Sequence, residues 1–124
     1  IDLVTADATF RGGCISPGMK TRFRALHDYT AKLPLCAATE SEELAGLNTR
    51  QAIELGVMNG IAFEIEGYVT RMREKIDGLR VIFTGGDAKF FVKRIKNTIF
   101  ANCNLVFCGL DRILEYNASE EHLN

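Results

Sequence analysis

Apolar residues recur every three or four positions through the middle of the chain, and this spacing predicts one long amphipathic helix. Asn48 and Thr49 stand at its start as capping residues, and the pattern continues to about Ile76, a length of roughly 40 Å at about 1.5 Å per residue. The apolar face consists of Ile53, Val57, Ile61, Ile65, Val69, Met72 and Ile76.

Glycines interrupt this helix, and each costs about 1 kcal/mol relative to alanine inside a helix. We therefore expect another backbone to pack closely on the glycine-bearing face, which could also serve as a dimer surface. The three glycines are Gly56, Gly60 and Gly67.

Upstream of the long helix, Ile1–Thr5 and Thr9–Ile15 have the composition of strands and predict an antiparallel hairpin. Gly12 and Gly13 inside the second strand indicate a bulge or a close backbone approach. The chain is strand-like from its first residue and has no initial methionine, so we expect that an upstream part is missing.

A first helix is predicted from Ser16 and Pro17, as cap and first helical residue, to about Lys32. Its apolar face would contain Met19, Phe23, Leu26 and Thr30, and Pro34 would stop it. The segment Leu35–Leu47 reads as a loop with an acidic cluster, which either binds a cation or is simply solvated: Glu40, Glu42 and Glu43.

Two strand–helix units follow the long helix. In the first, the strand Val81–Phe83 leads through Gly85 and Gly86 into a helix from Asp87. In the second, Asn104–Cys108 reads as a strand and Leu110–Tyr116 as a short helix, with a frayed tail over Ala118–Asn124. The order ββαα-βα-βα predicts an α/β fold, a mixed sheet flanked by helices, in a single domain spanning 1–124.

Composition narrows the class of protein. The chain has 124 residues, 47% hydrophobic and 25% charged, and a net charge of −1, which fits a globular protein and gives no support for nucleic-acid binding. The short basic cluster of Lys93, Arg94 and Lys96 reads as a solvated helix face. No apolar run reaches the ~18 residues of a membrane span.

The four cysteines form no Cys-x-x-Cys or Cys/His pattern, and His27 and His122 are isolated. We expect reduced, mostly buried thiols in a cytoplasmic protein, with no metal site and no thiol catalysis.

Few residues carry candidate chemistry. Thr84, Gly85 and Gly86 lie after a strand and before a helix, where α/β sheets bind ligands and bare backbone can touch them. An ordinary strand–helix turn is the alternative. The Thr49 hydroxyl either caps its own helix or donates to a ligand carboxylate or amide. Asp111 and Arg112 could supply a general base and an anion-binding group. The simpler interpretation is that Asp111 lies in the first turn of a helix and interacts favourably with the helix dipole.

A series of short motifs, in the same order, resembles the type III pantothenate kinases, a family also called Bvg accessory factor. The resemblance spans nearly the whole chain, and its motifs are Phe10–Met19, Ala25-Leu26, Thr30–Pro34, Gly46–Thr49, Ala52-Ile53, Gly56, Val81–Asp87 and Cys108–Leu110.

The resemblance implies the C-terminal half of a two-domain kinase with an actin-like, ribonuclease-H-like fold. Such enzymes transfer the γ-phosphoryl group of ATP to pantothenate, the first step towards coenzyme A, with Mg²⁺ and a monovalent cation such as K⁺, and they work as homodimers. Thr49 matches the family's pantothenate contact. Thr84, Gly85 and Gly86 match the segment that lies against the adenosine.

By the same resemblance, the family's first phosphate loop and its Gly-x-Asp-Arg motif, with the base aspartate, would precede Ile1, and Asp2 would be the last residue of the second phosphate motif. We therefore expect no catalytic residue in this chain and no activity from it alone. Two alternatives remain: a nucleotide-binding regulatory protein of the same family, a presumed transcriptional activator, and another kinase of actin-like fold.

Overall fold

The structure is a computed structural model that describes residues 1–95 and 100–121. Its elements follow the order β1, β2, α1, α2, β3, α3, β4, α4, which confirms the predicted ββαα-βα-βα sequence. The expected single mixed sheet is wrong for the described residues, where the strands form two separate two-stranded sheets. Each sheet is one pair of strands that are two to four residues long. The chain divides into two compact units, Ile1–Met58 and Asn59–Asn124.

The first unit begins with the predicted hairpin, in which β1 (Asp2–Val4) pairs antiparallel with β2 (Phe10–Gly13). The register shifts between Asp2 and Val4, and Gly12 has φ +98°, which together confirm the predicted bulge. A Cβ at Gly13 would lie 2.1 Å from the Ile1 carbonyl oxygen. The two glycines therefore provide both the bulge and the close approach.

The hairpin turn is held by side chains of its own. The Thr5 hydroxyl lies within hydrogen-bond distance of the Asp7 carboxylate and of the Thr9 carbonyl, and its single hydrogen is shared between these two acceptors. The bond from Thr5 holds the pKa of Asp7 below its ordinary value, and the side chain of Thr9 acts in the same direction.

The first helix, α1, covers Met19–Asp28 and is shorter at both ends than the sequence predicts. Gly18 occupies the N-cap position, so the helix begins two residues later than the predicted cap at Ser16. The carbonyl of Pro17 accepts a hydrogen bond from Arg22 Nε. At the other end, the Thr30 hydroxyl donates to the Leu26 carbonyl from outside the helix. Met19 and Phe23 are buried as predicted.

The longest helix, α2, covers Thr49–Arg73 and confirms the main prediction from the apolar pattern. All seven residues of the predicted face are buried or half-buried, although Ile76 lies in the turn after the helix. Close backbone packing is wrong at Gly56 and Gly67 for the described residues, because a Cβ at either position would meet none of their atoms within 4 Å. The dimer surface on this face stays a prediction.

The second unit contains the strand–helix turn that the sequence predicts. β3 (Ile82–Phe83) leads into α3 (Ala88–Arg94), and β3 pairs in parallel with β4 (Phe100–Ala101). The Arg94 guanidinium donates to Asn59 Oδ1 at 3.3 Å, which links α3 to the part of α2 in this unit. Lys96, one of the three residues in the basic cluster, lies outside the described residues.

The predicted strand over Asn104–Cys108 is wrong, because α4 covers Leu105–Glu121. The Asn102 side chain accepts a hydrogen bond from the Asn104 N–H at 3.1 Å, and the Asn102 carbonyl accepts one from the Leu105 N–H at 3.3 Å. This turn starts a helix where a short apolar run fits either a strand or a helix. Ala118 to Glu121 are helical rather than frayed, and residues 122–124, with His122, lie outside the described part.

The expectation of mostly buried thiols is also wrong. Cys36 is buried, whereas Cys14, Cys103 and Cys108 are exposed, and all four are free. Cys14 directly follows a hairpin strand, and Cys103 and Cys108 lie before and within α4, which nothing covers among the described residues. None of the described helices is both long and apolar enough to cross a membrane.

Candidate functional site

The start of α2 is built by three hydrogen bonds between the preceding segment and the first helical turn. Asn48 Oδ1 accepts from the Gln51 N–H at 3.0 Å, and the Asn48 carbonyl accepts from the Ala52 N–H at 2.9 Å. In return, Gln51 Oε1 accepts from the Leu47 N–H at 3.0 Å. This reciprocal pattern is a close variant of the capping box, with asparagine as the cap and glutamine three residues later.

Thr49 is the first residue of α2 and is exposed. Because the Asn48 side chain satisfies the helix N–H group that an N-cap residue normally satisfies, the cap does not require the Thr49 hydroxyl. The sequence left two roles open for this hydroxyl, its own cap or a ligand contact. The structure assigns the cap to Asn48.

Arg50 connects the same turn to the preceding loop. Its Nη1 lies 3.7 Å from Glu54 Oε1 and 3.8 Å from the sulfur of buried Cys36. The Cys36 thiol in turn donates to the Pro34 carbonyl at 3.5 Å. The loop that precedes α2 is therefore tied to the helix at Arg50 as well as at the cap.

The second candidate region is the turn between β3 and α3. Thr84, Gly85 and Gly86 are consecutive and exposed there, and Gly85 has φ +87°, a conformation that favours glycine. A Cβ at Gly85 or Gly86 would meet no atom within 4 Å among residues 1–95 and 100–121. The backbone of this turn is therefore open to a ligand that approaches from solvent.

The parallel pairing of β3 and β4 brings a further residue to this edge of the sheet. The Asn102 N–H donates to the Phe83 carbonyl at 2.8 Å, which places the residue after β4 beside the end of β3. Ligands of α/β sheets bind outside the carboxyl ends of strands. Sequence reasoning missed Asn102 because β4 was assigned to the wrong residues.

The structure thus gathers Thr84, Gly85 and Gly86 into one turn in the second unit, while Thr49 belongs to the first. Asp111 and Arg112 are exposed in α4, and Arg112 pairs with Glu115 at 3.1 Å. Among the described residues, no group of three or more acidic, histidine or cysteine side chains is arranged to hold a metal ion.

An open recess of about 540 Å³ lies along the last turns of α2. None of the predicted site residues lines it. All of its lining side chains come from one helix and the turn after it, which gives no concave wall for a ligand. They are Glu66, Gly67, Thr70, Arg71, Glu74 and Lys75.

Comparison with known proteins places the chain in a family. The family model of type III pantothenate kinase matches residues 1–71, more than half of the chain. The chain belongs to the type III pantothenate kinase family. A type III pantothenate kinase from Flavobacterium psychrophilum is 46% identical over 115 residues, which are 93% of this chain and 48% of that protein. The enzyme of the same name from Cytophaga hutchinsonii is 46% identical over 114 residues, 92% of this chain and 48% of that protein.

A solved structure supports the same fold over nearly the whole chain. It is a Campylobacter jejuni protein described as a conserved Baf family transcriptional activator, with a TM-score of 0.63 at 21% identity over 95% of this chain and 53% of that one. At this identity the likeness concerns the fold alone. The chain spans about half the length of the type III pantothenate kinases that it matches.

Proposed function

We propose that this chain forms the C-terminal part of an ATP-dependent pantothenate kinase, which transfers the γ-phosphoryl group of ATP to pantothenate to give 4'-phosphopantothenate. Family membership over residues 1–71, a range that includes Thr49, is the observation that carries the proposal. Phosphoryl transfer depends on positioning and on neutralising charge around the phosphate. In this proposal the chain supplies a pantothenate contact and one wall of the nucleotide site, and it is inactive alone.

Pantothenate is assigned to Thr49. Its hydroxyl is exposed at the first position of α2 and is not needed for the cap, so it can donate to the carboxylate or an amide of the substrate. Because Asn48 holds the helix start, removing the Thr49 hydroxyl should change substrate use and leave the fold intact.

The adenosine part of ATP is assigned to Thr84, Gly85 and Gly86. The turn fits such a ligand, since both glycines leave open space where a Cβ would stand. Bound ATP would supply the phosphoryl group, and these residues would hold the nucleoside by close backbone approach.

The remaining parts of the proposal concern the whole enzyme: an actin-like fold, a homodimer, a cytoplasmic location, and a requirement for Mg²⁺ and K⁺. Mg²⁺ commonly binds through one or two carboxylates and the substrate phosphates. No metal ligand is assigned to this chain, and the base aspartate is assigned to a part of the kinase that this chain does not contain.

The proposal is tested by ADP release from the full-length product of the gene, with ATP and Mg²⁺, with and without pantothenate and K⁺. We expect release that depends on pantothenate. In Thr49→Val the hydroxyl is lost at nearly constant size, so pantothenate use should fall while the melting temperature is unchanged, and Thr49→Ser should retain activity. ATP binding without release would favour a regulatory nucleotide-binding protein instead.

The nucleotide assignment needs its own variants. Gly85→Val should abolish ATP binding, but φ +87° at Gly85 also strains any other residue there. Gly86→Val is the cleaner test, because Gly86 lies outside the left-handed region and a Cβ there meets no atom of the described part of the chain within 4 Å. If Gly86→Val bound ATP with wild-type affinity, the adenosine would not lie against this turn.

A further inference from the structure

The residues around Thr49 join the loop before α2 to the first turn of that helix. We call Gly46, Asn48 and Gln51 the helix-start clamp, because they join the end of the loop to the first turn of α2. Two of the hydrogen bonds involve Gln51, whose side chain accepts from the Leu47 N–H and whose N–H donates to the Asn48 side chain, both at 3.0 Å. Thr49 lies between these bonded positions in the sequence.

Gly46 makes the clamp close. A Cβ at this position would lie 2.4 Å from the Ala52 N atom, 2.5 Å from the Gln51 carbonyl carbon and 2.7 Å from Gln51 Cβ. Backbone atoms cannot move out of the way as the end of a flexible side chain can. The loop therefore reaches the helix only where residue 46 has no side chain.

The clamp fixes the backbone on both sides of Thr49. With the neighbouring peptide groups bonded, the direction of the Thr49 hydroxyl depends on its χ1 angle alone, and a β-branched side chain has few χ1 choices. A contact that is held in place before the ligand arrives loses less conformational freedom on binding. A small displacement of a group that positions the substrate also has a large effect on the reaction rate.

We infer that Gln51 and Gly46, acting through Asn48 and the first turn of α2, are positioning residues that hold Thr49 in the orientation in which it contacts the substrate. This inference rests on the proposed function, because it concerns the pantothenate contact assigned to Thr49. None of the three residues needs to touch the substrate.

The first test measures KM for pantothenate and KM for ATP in full-length Gln51→Leu and Gln51→Glu. Leucine removes the acceptor for the Leu47 N–H at similar size, whereas a glutamate carboxylate can still accept that bond. We expect Gln51→Leu to raise KM for pantothenate on the order of tenfold, with KM for ATP unchanged. In Gln51→Glu, KM for pantothenate should stay within about threefold of the wild-type value.

The second test uses two glycine variants of the same kind. Gly46→Ala should raise KM for pantothenate in the same way, because its new Cβ forces the loop away from α2. Gly67→Ala is the control, since Gly67 lies in α2, away from the clamp, and its Cβ would meet no atom of the described residues within 4 Å. Pantothenate KM should be unchanged in Gly67→Ala.

The outcomes distinguish a failure of the positioning role from a failure of the proposed function. If Thr49→Val raises KM for pantothenate but Gln51→Leu and Gly46→Ala do not, the positioning role is overturned and the proposed function stands. If both KM values rise together, or Gln51→Glu behaves like Gln51→Leu, the clamp is only structural and the inference is wrong. If pantothenate has no effect on ADP release by the wild-type protein, both proposals fail.

Discussion

α2 and α4 are both long helices rich in apolar residues, but the chain buries only one of them. α2 buries seven hydrophobic side chains, and Met58 among them is 0% exposed. In α4 every side chain that the structure describes is exposed. Its large apolar residues are between 42% and 69% exposed, and they are Leu105, Val106, Phe107, Leu110, Ile113, Leu114 and Tyr116.

This difference separates forming a helix from stabilising a fold. The backbone bonds of α4 need only its own residues, and the turn at Asn102 starts it. Most helical stability in proteins comes from packing an apolar face against other elements rather than from intrinsic helix propensity. We therefore expect the unfolding free energy of this chain to depend on α2 and to be nearly independent of α4.

The largest expected effect is at the buried end of this comparison. Met58→Ala in the 124-residue chain should lower the free energy of unfolding by about 2–5 kcal/mol, because it removes a fully buried side chain and leaves a cavity. Leu110→Ala, at a position that is 52% exposed in α4, should change it by less than about 0.5 kcal/mol. Denaturant unfolding followed by circular dichroism measures both.

Equal losses for the two variants would contradict the comparison, because they would mean that α4 packs against the core as α2 does. If the free energy of unfolding fell only slightly in Met58→Ala, the core would have collapsed around the missing side chain. The slope of free energy against denaturant should be the same in wild type and variants, since it reports the surface exposed on unfolding.

The sequence predictions also differ between the two helices: they were right for α2 and wrong for the start of α4. Ile53, Val57, Ile61 and Val69 are buried at the positions that their spacing predicts, because a period of 3.6 sustained over many turns has one physical interpretation. The run Leu105–Cys108 is too short to carry a period. A turn made by Asn102, rather than the run itself, decided that it is helical.

The hydrophobic pattern did not identify the candidate sites. Thr49, Thr84, Gly85 and Gly86 were identified through resemblance to a family, and nothing in their local pattern distinguishes a ligand contact from an ordinary cap or turn. The spacing Asn48-x-x-Gln51 does signal a capping box, and this signal was available in the sequence. The close approach at Gly46 was not, because it depends on how the loop meets the helix in three dimensions.

The next prediction concerns how α2 begins. Asn48→Ala should lower the free energy of unfolding by about 0.5–2 kcal/mol, because it removes the side chain that accepts from the Gln51 N–H. Thr49→Ala, one residue later, should change it by less than about 0.5 kcal/mol, since alanine is the better helix former and Thr49 is not the cap. Denaturant midpoints of the two variants measure the difference. A larger loss in Thr49→Ala would return the capping role to Thr49 and remove the argument that its hydroxyl is available to a ligand.

The smallest effect gives the most direct comparison of the two helices, because each contains a glycine whose Cβ would meet no atom within 4 Å: Gly56 in α2 and Gly109 in α4. Replacing either by alanine favours its helix by about 0.5–1 kcal/mol. In Gly56→Ala that gain should raise the free energy of cooperative unfolding, since α2 is part of the core. In Gly109→Ala it should instead reduce local fraying, so that hydrogen exchange in α4 slows while the unfolding midpoint does not move. A shift of the midpoint by the same amount in both variants would show that α4 unfolds together with α2. The exposed apolar side chains of α4 would then not mark it as an independent part of this chain.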